Sequence, residues 1–382
     1  MALVDREEYL RQLETLVNID SGSLDPEGIN RVADQLESWY RELGWHIQRH
    51  DLGPKTGRLL EISNRPAQHY DVMFVGHMDT VFPKGTVAKR PFTTDGVNAY
   101  GPGVGDMKNG DVAMLQVAKH LSPEALDTLN ICMAHNPDEE IASIYSKETL
   151  DAIGARADYV YVMESCGREQ QHCFARKGML RYHLRFHGQA AHAGFMFERE
   201  NASAILEMGN YIVRLMGLAS REQDTTVNVG LAQGGTAVNV VADSAELQLE
   251  MRFWKDSERQ RLEAAIDELI HGDPFVPGVR VEVVDRRFVP SWSKTPAALE
   301  HIAGLQALAD RLGIPFTQKD RGGLSDANHL AAAGPICCDG MGPHGALDHS
   351  EKEFSIIDTV EPCVQLLCAA LEELARKKRE VR

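Results

Sequence analysis

A histidine and an aspartate directly follow an apolar stretch in the segment Val75-Gly76-His77-Met78-Asp79-Thr80. Residues two apart in an extended chain point the same way, so His77 and Asp79 face the same space. A neutral imidazole there is suited to bind a metal ion, while the carboxylate fixes its tautomer and raises its basicity. We interpret His77 as a metal ligand and Asp79 as its support. The alternative is a plain histidine–aspartate hydrogen bond, which is the commoner meaning of an isolated H-x-D.

A glycine-rich segment contains the next candidate, Asp106, within Tyr100-Gly101-Pro102-Gly103-Val104-Gly105-Asp106-Met107-Lys108. Its glycines permit tight turns and close backbone approach, and they aim Asp106 into a cleft before a helix that starts near Asp111. A carboxylate has two oxygens and can therefore bridge two cations. The glycine spacing matches neither the P-loop nor the dinucleotide-binding pattern. A plain turn with Asp106 as the helix cap remains open.

Acidic residues also end the next two apolar stretches. Pro137-Asp138-Glu139-Glu140 follows one of them, and Glu164 ends the other. In open α/β sheets ligands bind outside the carboxyl ends of the strands, so these side chains are expected at the same edge as His77. A solvated acidic loop is the usual alternative for such a run.

A distant histidine, His349, completes the set of candidate ligands. His344 lies close to it in the sequence and is an alternative that spacing does not exclude. From the residues alone, the roles of Glu139 and Glu140 are also interchangeable. Carboxylate and imidazole donors without thiolates suit zinc, cobalt or manganese in an open catalytic site.

The elements that must position these side chains follow from the spacing of apolar residues. Helical spacing predicts helices over 5–19 and 29–43, and short apolar strands then alternate with helices. This alternation indicates an α/β domain with a largely parallel sheet. The predicted strands are 59–62, 71–75, 129–134 and 159–163, and the predicted helices between them are 111–121 and 146–153.

The pattern changes near residue 178, where the order β-α-β-β-α-β of a ferredoxin-like unit is predicted. We therefore expect one domain formed by 1–178 and 290–382, with 179–289 inserted into it. The predicted strands of the insert are 180–187, 225–232, 244–254 and 279–288, and its helices are 201–218 and 257–271. In the returning part of the larger domain, helices are predicted near 296–312 and 355–377.

Composition restricts the class of partner and the compartment. The 40 basic and 56 acidic side chains give a net charge of -16, which repels phosphate backbones and argues against nucleic-acid binding. No apolar run approaches the roughly 20 residues needed to span a bilayer, and no secretory signal is recognised. Seven cysteines without a C-x-x-C fit reduced thiols. We expect a cytoplasmic protein that does not associate with membranes.

Taken together, the motifs resemble those of the aminoacylase/glutamate carboxypeptidase family of two-zinc metallopeptidases, and among these the folate-cleaving glutamate carboxypeptidases. The resemblance covers most of the chain, and the motifs occur in the family's order. It implies a zinc-peptidase catalytic domain with an inserted lid and dimerisation domain. The matching passages are Gly76–Thr86, Tyr100–Lys108, Pro137–Glu140, Gly188-Gln189-Ala190-Ala191-His192-Ala193-Gly194 and Gly322-Gly323-Leu324-Ser325-Asp326-Ala327.

The resemblance also implies a role for each candidate ligand. Asp106 would bridge two zinc ions per subunit, with cobalt or manganese as alternative metals. One ion would be completed by His77 and Glu164, and the other by Glu140 and His349. Glu139 would be the general base, which takes a proton from the attacking water and passes it to the leaving amine.

Three residues of the insert match substrate-contacting positions of the family. His192 is similar to a histidine that reaches into the neighbouring subunit's site and polarises the scissile carbonyl, which implies a homodimer. Asn239 matches a substrate-contacting asparagine, and Arg252 matches an arginine that grips a substrate carboxylate. Without the family, His192 is a loop histidine and Arg252 is a surface ion-pair residue at a strand edge.

The function implied is hydrolysis of an amide bond in a small peptide or N-acyl amino acid, with release of a C-terminal amino acid of the glutamate type. An N-acyl-amino-acid deacylase, a di- or tripeptidase and a desuccinylase share this mechanism and stay open. A non-catalytic dimeric scaffold and a serine or cysteine hydrolase are rivals from other classes. Departures from the family pattern at Asn109, Ala142 and Ala191 affect loop shape and leave every ligand in place.

Overall fold

The computed structural model describes residues 2–381, and the side chains of residues 2–380. The chain divides into two compact units. The first contains the chain through Ala175, Lys294–Asp320 and the chain from Ser325 onward; the second contains Arg176–Ser293 and Arg321–Leu324. The predicted boundaries assign 321–324 to the larger domain, whereas these residues belong to the second unit.

Helices and strands are numbered in chain order. The helices are α1 (Arg6–Val17), α2 (Pro26–Glu42), α3 (Thr86–Lys89), α4 (Asn109–His120), α5 (Pro123–Thr128), α6 (Lys147–Gly154), α7 (Ala204–Met216), α8 (Asp256–His271), α9 (Pro296–Leu312), α10 (Ala327–Ala332) and α11 (Val360–Val381). The strands are β1 (His46–His50), β2 (Leu59–Ser63), β3 (Tyr70–His77), β4 (Thr93–Thr94), β5 (Asn98–Tyr100), β6 (Ile131–Asn136), β7 (Ala157–Val162), β8 (Ser165–Cys166), β9 (Gln171–His172), β10 (Gly178–His187), β11 (Thr226–Gly234), β12 (Ser244–Phe253), β13 (Arg280–Val289), β14 (Thr317–Gln318), β15 (Ile336–Cys338), β16 (Gly342–Ala346) and β17 (Phe354–Ile356).

A six-stranded sheet forms the centre of the first unit, with strand order β1-β2-β6-β3-β7-β15. Strands β6, β3, β7 and β15 are parallel, and β2 and β1 add to one edge in antiparallel orientation. Every residue of β3 is buried, as expected of a central strand in a parallel sheet covered on both faces. The predicted α/β class and largely parallel sheet are confirmed. The exposed edge strand β1 was not predicted, because His46–His50 has no apolar run.

Local signals explain why two of the helices begin and end where they do. In α2, Pro26 stands in the first turn, and Ile29, Val32 and Leu36, which lie at helical spacing, are buried. Gly44, which follows this helix, has a φ of 77°, a left-handed conformation that suits glycine. In α9 the side chain of Thr295 caps the first turn, and Gly313 ends the helix with a φ of 68°.

A second, five-stranded sheet of the first unit has the order β4-β5-β17-β16-β8. This sheet shows that the first residues of the predicted helix 355–377 were assigned wrongly. Residues Phe354–Ile356 instead form β17, which pairs with β5, and α11 begins only at Val360. The pairing partner of β17 lies far away in the sequence, so helical periodicity near the chain end extended the prediction too far.

The second unit is built from β10, α7, β11, β12, α8 and β13, in the predicted order of a ferredoxin-like unit. Its sheet has the order β11-β12-β10-β13, and all neighbours are antiparallel. The inner residues of β10 and β12 pack with residues of α7 and α8 into a separate hydrophobic core. Alternation of buried and less buried residues along β12 fits a sheet with one covered face.

None of the helices in the described part of the chain is both long enough and apolar enough to cross a membrane.

Candidate metal centre

His77 lies at the carboxyl end of the central strand β3 and is only 1% exposed. Its Nε2 is 3.1 Å from Asp106 Oδ1 and 3.5 Å from Glu164 Oε1. Its Nδ1 is 3.1 Å from the backbone oxygen of Asp79 and 3.4 Å from the carboxylate oxygen Oδ1 of the same residue. The backbone oxygen is therefore the nearer partner of the ring, and Nε2 is the nitrogen that faces the other candidate ligands.

The carboxylate of Asp79 has a wider role than the support for His77 that the sequence suggested. It is fully buried and accepts hydrogen bonds from the backbone N–H groups of Glu139, at 3.0 Å, and Glu140, at 3.2 Å. The hydroxyl of Ser23 donates to it at 2.6 Å. Asp79 thus fixes the start of the turn that carries both glutamates.

The glycine-rich loop before α4 is held by Glu353, a residue that the sequence did not single out. Its buried carboxylate accepts hydrogen bonds from the N–H groups of Gly103, Gly105 and Asp106, at 3.0, 2.8 and 3.0 Å. Gly103 has a φ of 73°, a conformation that favours glycine. These three hydrogen bonds fix the backbone from which Asp106 points towards His77. No sequence motif marks Glu353, because its partners are backbone groups of a distant loop.

The structure places His349, and not His344, beside the other candidate ligands. His349 Nε2 is 3.0 Å from Asp106 Oδ2 and 3.2 Å from Glu140 Oε2. His344 lies on β16, where its Nδ1 donates to the backbone oxygen of Cys166 at 2.8 Å. Asp106 therefore presents one oxygen to His77 and the other to His349.

Ligand atoms from several elements converge at this edge of the sheet. One atom each of His77, Asp106 and Glu140 lie within 4.8 Å of one another, and the same holds for His77, Glu139 and Glu164. Glu164 follows β7 in the chain, as the strand-end rule predicts. The donors are carboxylate oxygens and imidazole nitrogens, which is the chemistry that zinc and related divalent cations accept. The residues present therefore fit a metal ion.

The pKa values of the candidate ligands also support a metal ion at this site. Burial raises the pKa of Glu164 to about 7, and the negative charge of Asp106 adds to this effect. Burial likewise raises the pKa of Glu139 well above its ordinary range. Hydrogen bonds with Asp106 and Glu140 raise the pKa of His349 to about 11. Carboxylates packed this closely need protons or cations between them, and a bound metal ion meets that need.

The three predicted substrate contacts, His192, Asn239 and Arg252, all lie in the second unit. His192 is exposed, and its Nδ1 accepts the N–H of Gly194 at 3.1 Å. The segments around His192 and Asn239 lie together, because the N–H of Ala193 donates to the backbone oxygen of Asn239 at 2.9 Å.

Arg252 lies on β12, which is an inner strand between β11 and β10. The alternative that placed Arg252 at a strand edge is therefore wrong. Its Nε donates to Glu250 Oε1 at 2.8 Å, so an ion pair does exist. Its Nη1 is buried and has no hydrogen-bond partner among residues 2–380.

The cluster of acids and imidazoles at the carboxyl edge of the α/β sheet is a candidate site for divalent metal ions. Comparison with known families is consistent with this: residues 73–373 match the model of Peptidase family M20/M25/M40. The chain belongs to this peptidase family and is a hydrolase. The resemblance drawn from the sequence motifs is confirmed.

Individual relatives differ in their reactions. Carboxypeptidase G2 from Pseudomonas sp. (strain RS-16) is 28% identical over 348 residues, which cover 90% of this chain and 83% of the relative. A succinyl-diaminopimelate desuccinylase from Nitrosococcus oceani is 25% identical, covering 79% of this chain and 83% of that protein. The crystal structure of aminopeptidase PepT from Bacillus cereus superimposes with a TM-score of 0.79 at 21% identity, covering 98% of this chain and all of that one. This last likeness shows the fold alone.

Proposed function

We propose that the protein hydrolyses an amide bond next to a free carboxylate and releases a C-terminal amino acid, with a glutamate-type residue as the first candidate. The observation that carries the proposal is the position of Asp106, whose two carboxylate oxygens lie 3.1 and 3.0 Å from His77 and His349. This is the arrangement expected of a carboxylate shared between two cations. The similarity to carboxypeptidase G2 supports the choice of reaction.

In this proposal the centre holds two zinc ions, with cobalt or manganese as alternatives. Asp106 would contribute to both sites, His77 and Glu164 would complete one of them, and Glu140 and His349 would complete the other. Two such ions, when bound, polarise the scissile carbonyl and lower the pKa of water. The parallel strands supply the rigid frame, since His77 ends β3, and Glu140 and Glu164 follow β6 and β7.

Glu139 is the general base of the proposed reaction. It precedes the ligand Glu140 in the same short turn, and the carboxylate of Asp79 fixes its backbone N–H. Its partly desolvated carboxylate accepts the proton of the attacking water and delivers that proton to the leaving amine. Its raised pKa assists the first step, because it makes the carboxylate of Glu139 a stronger base towards the attacking water.

Residues of the second unit provide substrate contacts in this proposal. Arg252 binds the substrate's carboxylate through its guanidinium, while Glu250 accepts a hydrogen bond from its Nε. Asn239 and His192 contact the substrate near the scissile carbonyl, His192 from the partner subunit of a homodimer. A lid and dimerisation role for this unit follows from the same proposal.

Other amidohydrolase reactions share this mechanism and differ in substrate. Relatives include succinyl-diaminopimelate desuccinylases and acetylornithine deacetylases, which favour deacylation as the second candidate. A panel of pteroyl-glutamate analogues, dipeptides, tripeptides and N-acyl amino acids separates the candidates by their kcat/KM. A C-terminal glutamate should be preferred if the first candidate is right.

Replacement Glu139→Gln tests the central assignment. The amide keeps the volume of the side chain but does not accept a proton, so we expect kcat to fall by about 10²–10⁴-fold. Zinc content, measured by atomic emission on the purified protein, should stay near that of the parent because Glu139 is not an assigned ligand. Undiminished turnover by Glu139→Gln would eliminate Glu139 as the base. Turnover that survives complete chelation would favour a serine or cysteine hydrolase instead.

A non-catalytic dimeric scaffold is disfavoured by the completeness of the site. Such relatives usually lose a ligand or the base, whereas here the five candidate ligands and Glu139 are all present. Atoms of these ligands and of Glu139 also lie close together, which favours a catalytic protein over a scaffold.

A further inference from the structure

A closed triangle of buried polar side chains lies beside the turn that carries Glu139 and Glu140. Its members are Asn136, Ser143 and Asp326, and each is at most 3% exposed. The hydroxyl of Ser143 donates to Asp326 Oδ1 at 2.6 Å, and the amide of Asn136 donates to Asp326 Oδ2 at 2.6 Å. The same amide donates to the oxygen of Ser143 at 2.8 Å. Buried hydrogen bonds that satisfy one another in this way fix a local structure.

The triangle is connected to both ends of the turn through the backbone. Asn136 is the last residue of β6, and its Oδ1 accepts the N–H of Asp138 at 3.2 Å. The N–H of Ser143 donates to the backbone oxygen of Asp138 at 2.9 Å. Ala142 and Ser143 have φ values of 67° and 51°, which are unfavourable for residues other than glycine. Such a conformation persists only where surrounding contacts over-determine it, and Asp326 supplies one of those contacts.

His329 compensates the charge of Asp326. Its Nε2 is 2.9 Å from Asp326 Oδ1, and its Nδ1 hydrogen-bonds with Asp151. Ionised carboxylates only accept hydrogen bonds, so both ring nitrogens donate and the ring is an imidazolium. Burial opposes this charge, but the hydrogen bonds with Asp151 and Asp326 outweigh it and raise the pKa of His329 to about 9. The buried Asp326 is therefore paired, which greatly lowers the free energy of holding it there as a carboxylate.

The turn is thus held at two places by two different carboxylates. At its start, Asp79 accepts the N–H groups of Glu139 and Glu140. At its end, Asp326 accepts the hydroxyl of Ser143. Removing the contacts of one carboxylate leaves those of the other in place, so the turn should stay folded while its geometry relaxes.

We propose that Asp326 and His329 are positioning residues for the hydrolysis proposed above, on which this inference rests. Asp326, kept in place by His329, fixes Ser143 and so the angle at which the turn presents Glu139 and Glu140. Neither Asp326 nor His329 contacts the metal centre itself. A misplacement of about 1 Å at a reacting group lowers the rate on the order of 10²-fold. We therefore expect the loss of Asp326 or His329 to lower kcat.

The test uses the full chain with saturating zinc and compares three variants, Ser143→Ala, Asp326→Asn and His329→Gln. Each should lower kcat by about 10–100-fold, the range typical of residues that orient a metal site. KM and zinc content at saturation should stay near the parent values. His301→Gln is the control, since His301 is a partly buried histidine of the same unit whose Nε2 lies 3.0 Å from the hydroxyl of Tyr161. It should lose stability without losing kcat.

The double variant Ser143→Ala/Asp326→Asn tests whether Asp326 acts through Ser143. If it does, the double variant loses no more activity than the more damaged single variant. Parental kcat in Ser143→Ala or in a folded Asp326→Asn, or additive losses in the double variant, overturns the inference. Where Asp326→Asn does not fold, Ser143→Ala decides alone, because it removes only one hydroxyl. Glu139→Gln is assayed in parallel. Undiminished turnover of Glu139→Gln would contradict the proposed function. If Glu139→Gln is inactive and Ser143→Ala is fully active, only the present inference is contradicted.

Discussion

Asp79 illustrates how much of the candidate centre depends on single side chains. Its carboxylate meets the N–H groups of Glu139 and Glu140, the hydroxyl of Ser23 and the ring of His77. The side chain is fully buried, so each of these contacts is made away from water. A change at this position therefore alters the direction of one ligand ring and the position of the turn at the same time.

We predict that Asp79→Asn weakens zinc binding by about 10–100-fold, as outer contacts of metal ligands typically do. The amide nitrogen of asparagine is a donor and would face one of the two backbone N–H groups, which leaves that donor unsatisfied. Competition with a chromophoric chelator measures the affinity. Asp71→Asn is the matched control, because Asp71 is buried on the same strand β3 and accepts the N–H of Asn130 at 2.7 Å, near the strand's other end. Equal zinc affinity in the two variants would contradict the prediction.

The residues that sequence reasoning found and those it missed differ in what surrounds them. His77, Glu140 and Glu164 each follow an apolar stretch, and the strand-end rule for parallel sheets brings such residues together. Glu353 has no such context: its hydrogen-bond partner Gly105 lies 248 residues away. Asp326 was noted only as part of a matching motif, and its role depends on contacts with Ser143 that no spacing reveals.

At the scale of secondary-structure elements, the start of α4 is packed directly against the end of β7. A Cβ added at Gly110 would lie 2.2 Å from the backbone oxygen of Met163, which has little freedom to move. This close approach sets the distance between two candidate ligands, since Asp106 precedes α4 and Glu164 follows Met163. Gly110 is therefore required for packing and not for an unusual backbone conformation.

We expect Gly110→Ala to destabilise the protein by about 1–3 kcal/mol, the usual effect of overpacking. Gly304→Ala is the matched control within α9, where an added Cβ meets nothing within 4 Å. There alanine should stabilise by about 0.5–1 kcal/mol, because glycine loses more conformational freedom in a helix. Urea unfolding of both variants measures the two changes. The packing argument fails if Gly110→Ala is as stable as Gly304→Ala.

Elements differ in how well their limits could be predicted. The limits of α9, 296–312, were predicted correctly, because a capping threonine and a glycine mark its two ends locally. Residues 355 and 356 were assigned to a helix, although they belong to β17. Strand formation there depends on pairing with β5, which is encoded about 250 residues earlier. Capping residues at helix ends can be recognised in a sequence, whereas strand pairing is set by tertiary contacts.

For the molecule as a whole, the candidate centre concentrates negative charge in a chain that already has a net charge of -16. Glu139, Glu140, Glu164 and Asp106 share one cluster, and the first three have raised pKa values because burial disfavours their charged forms. Without a metal ion, protons are the remaining source of compensation. Metal loading should therefore change how the stability of the whole fold depends on pH.

The direction of that change follows from Glu164, whose pKa is raised from its ordinary value of 4.5 to about 7. A raised carboxyl pKa means that the folded metal-free protein binds this proton more tightly than the unfolded chain. Its contribution is fully present below pH 4.5 and is lost as pH rises to about 7, at roughly 1.4 kcal/mol per pKa unit. Chelated protein should thus lose stability between about pH 4.5 and 7, and Glu164→Gln should show a smaller loss. With zinc bound, Glu164 is ionised throughout and this dependence should disappear. Urea unfolding across this range, with and without zinc, measures both slopes, and identical slopes for the chelated parent and Glu164→Gln would refute the assignment.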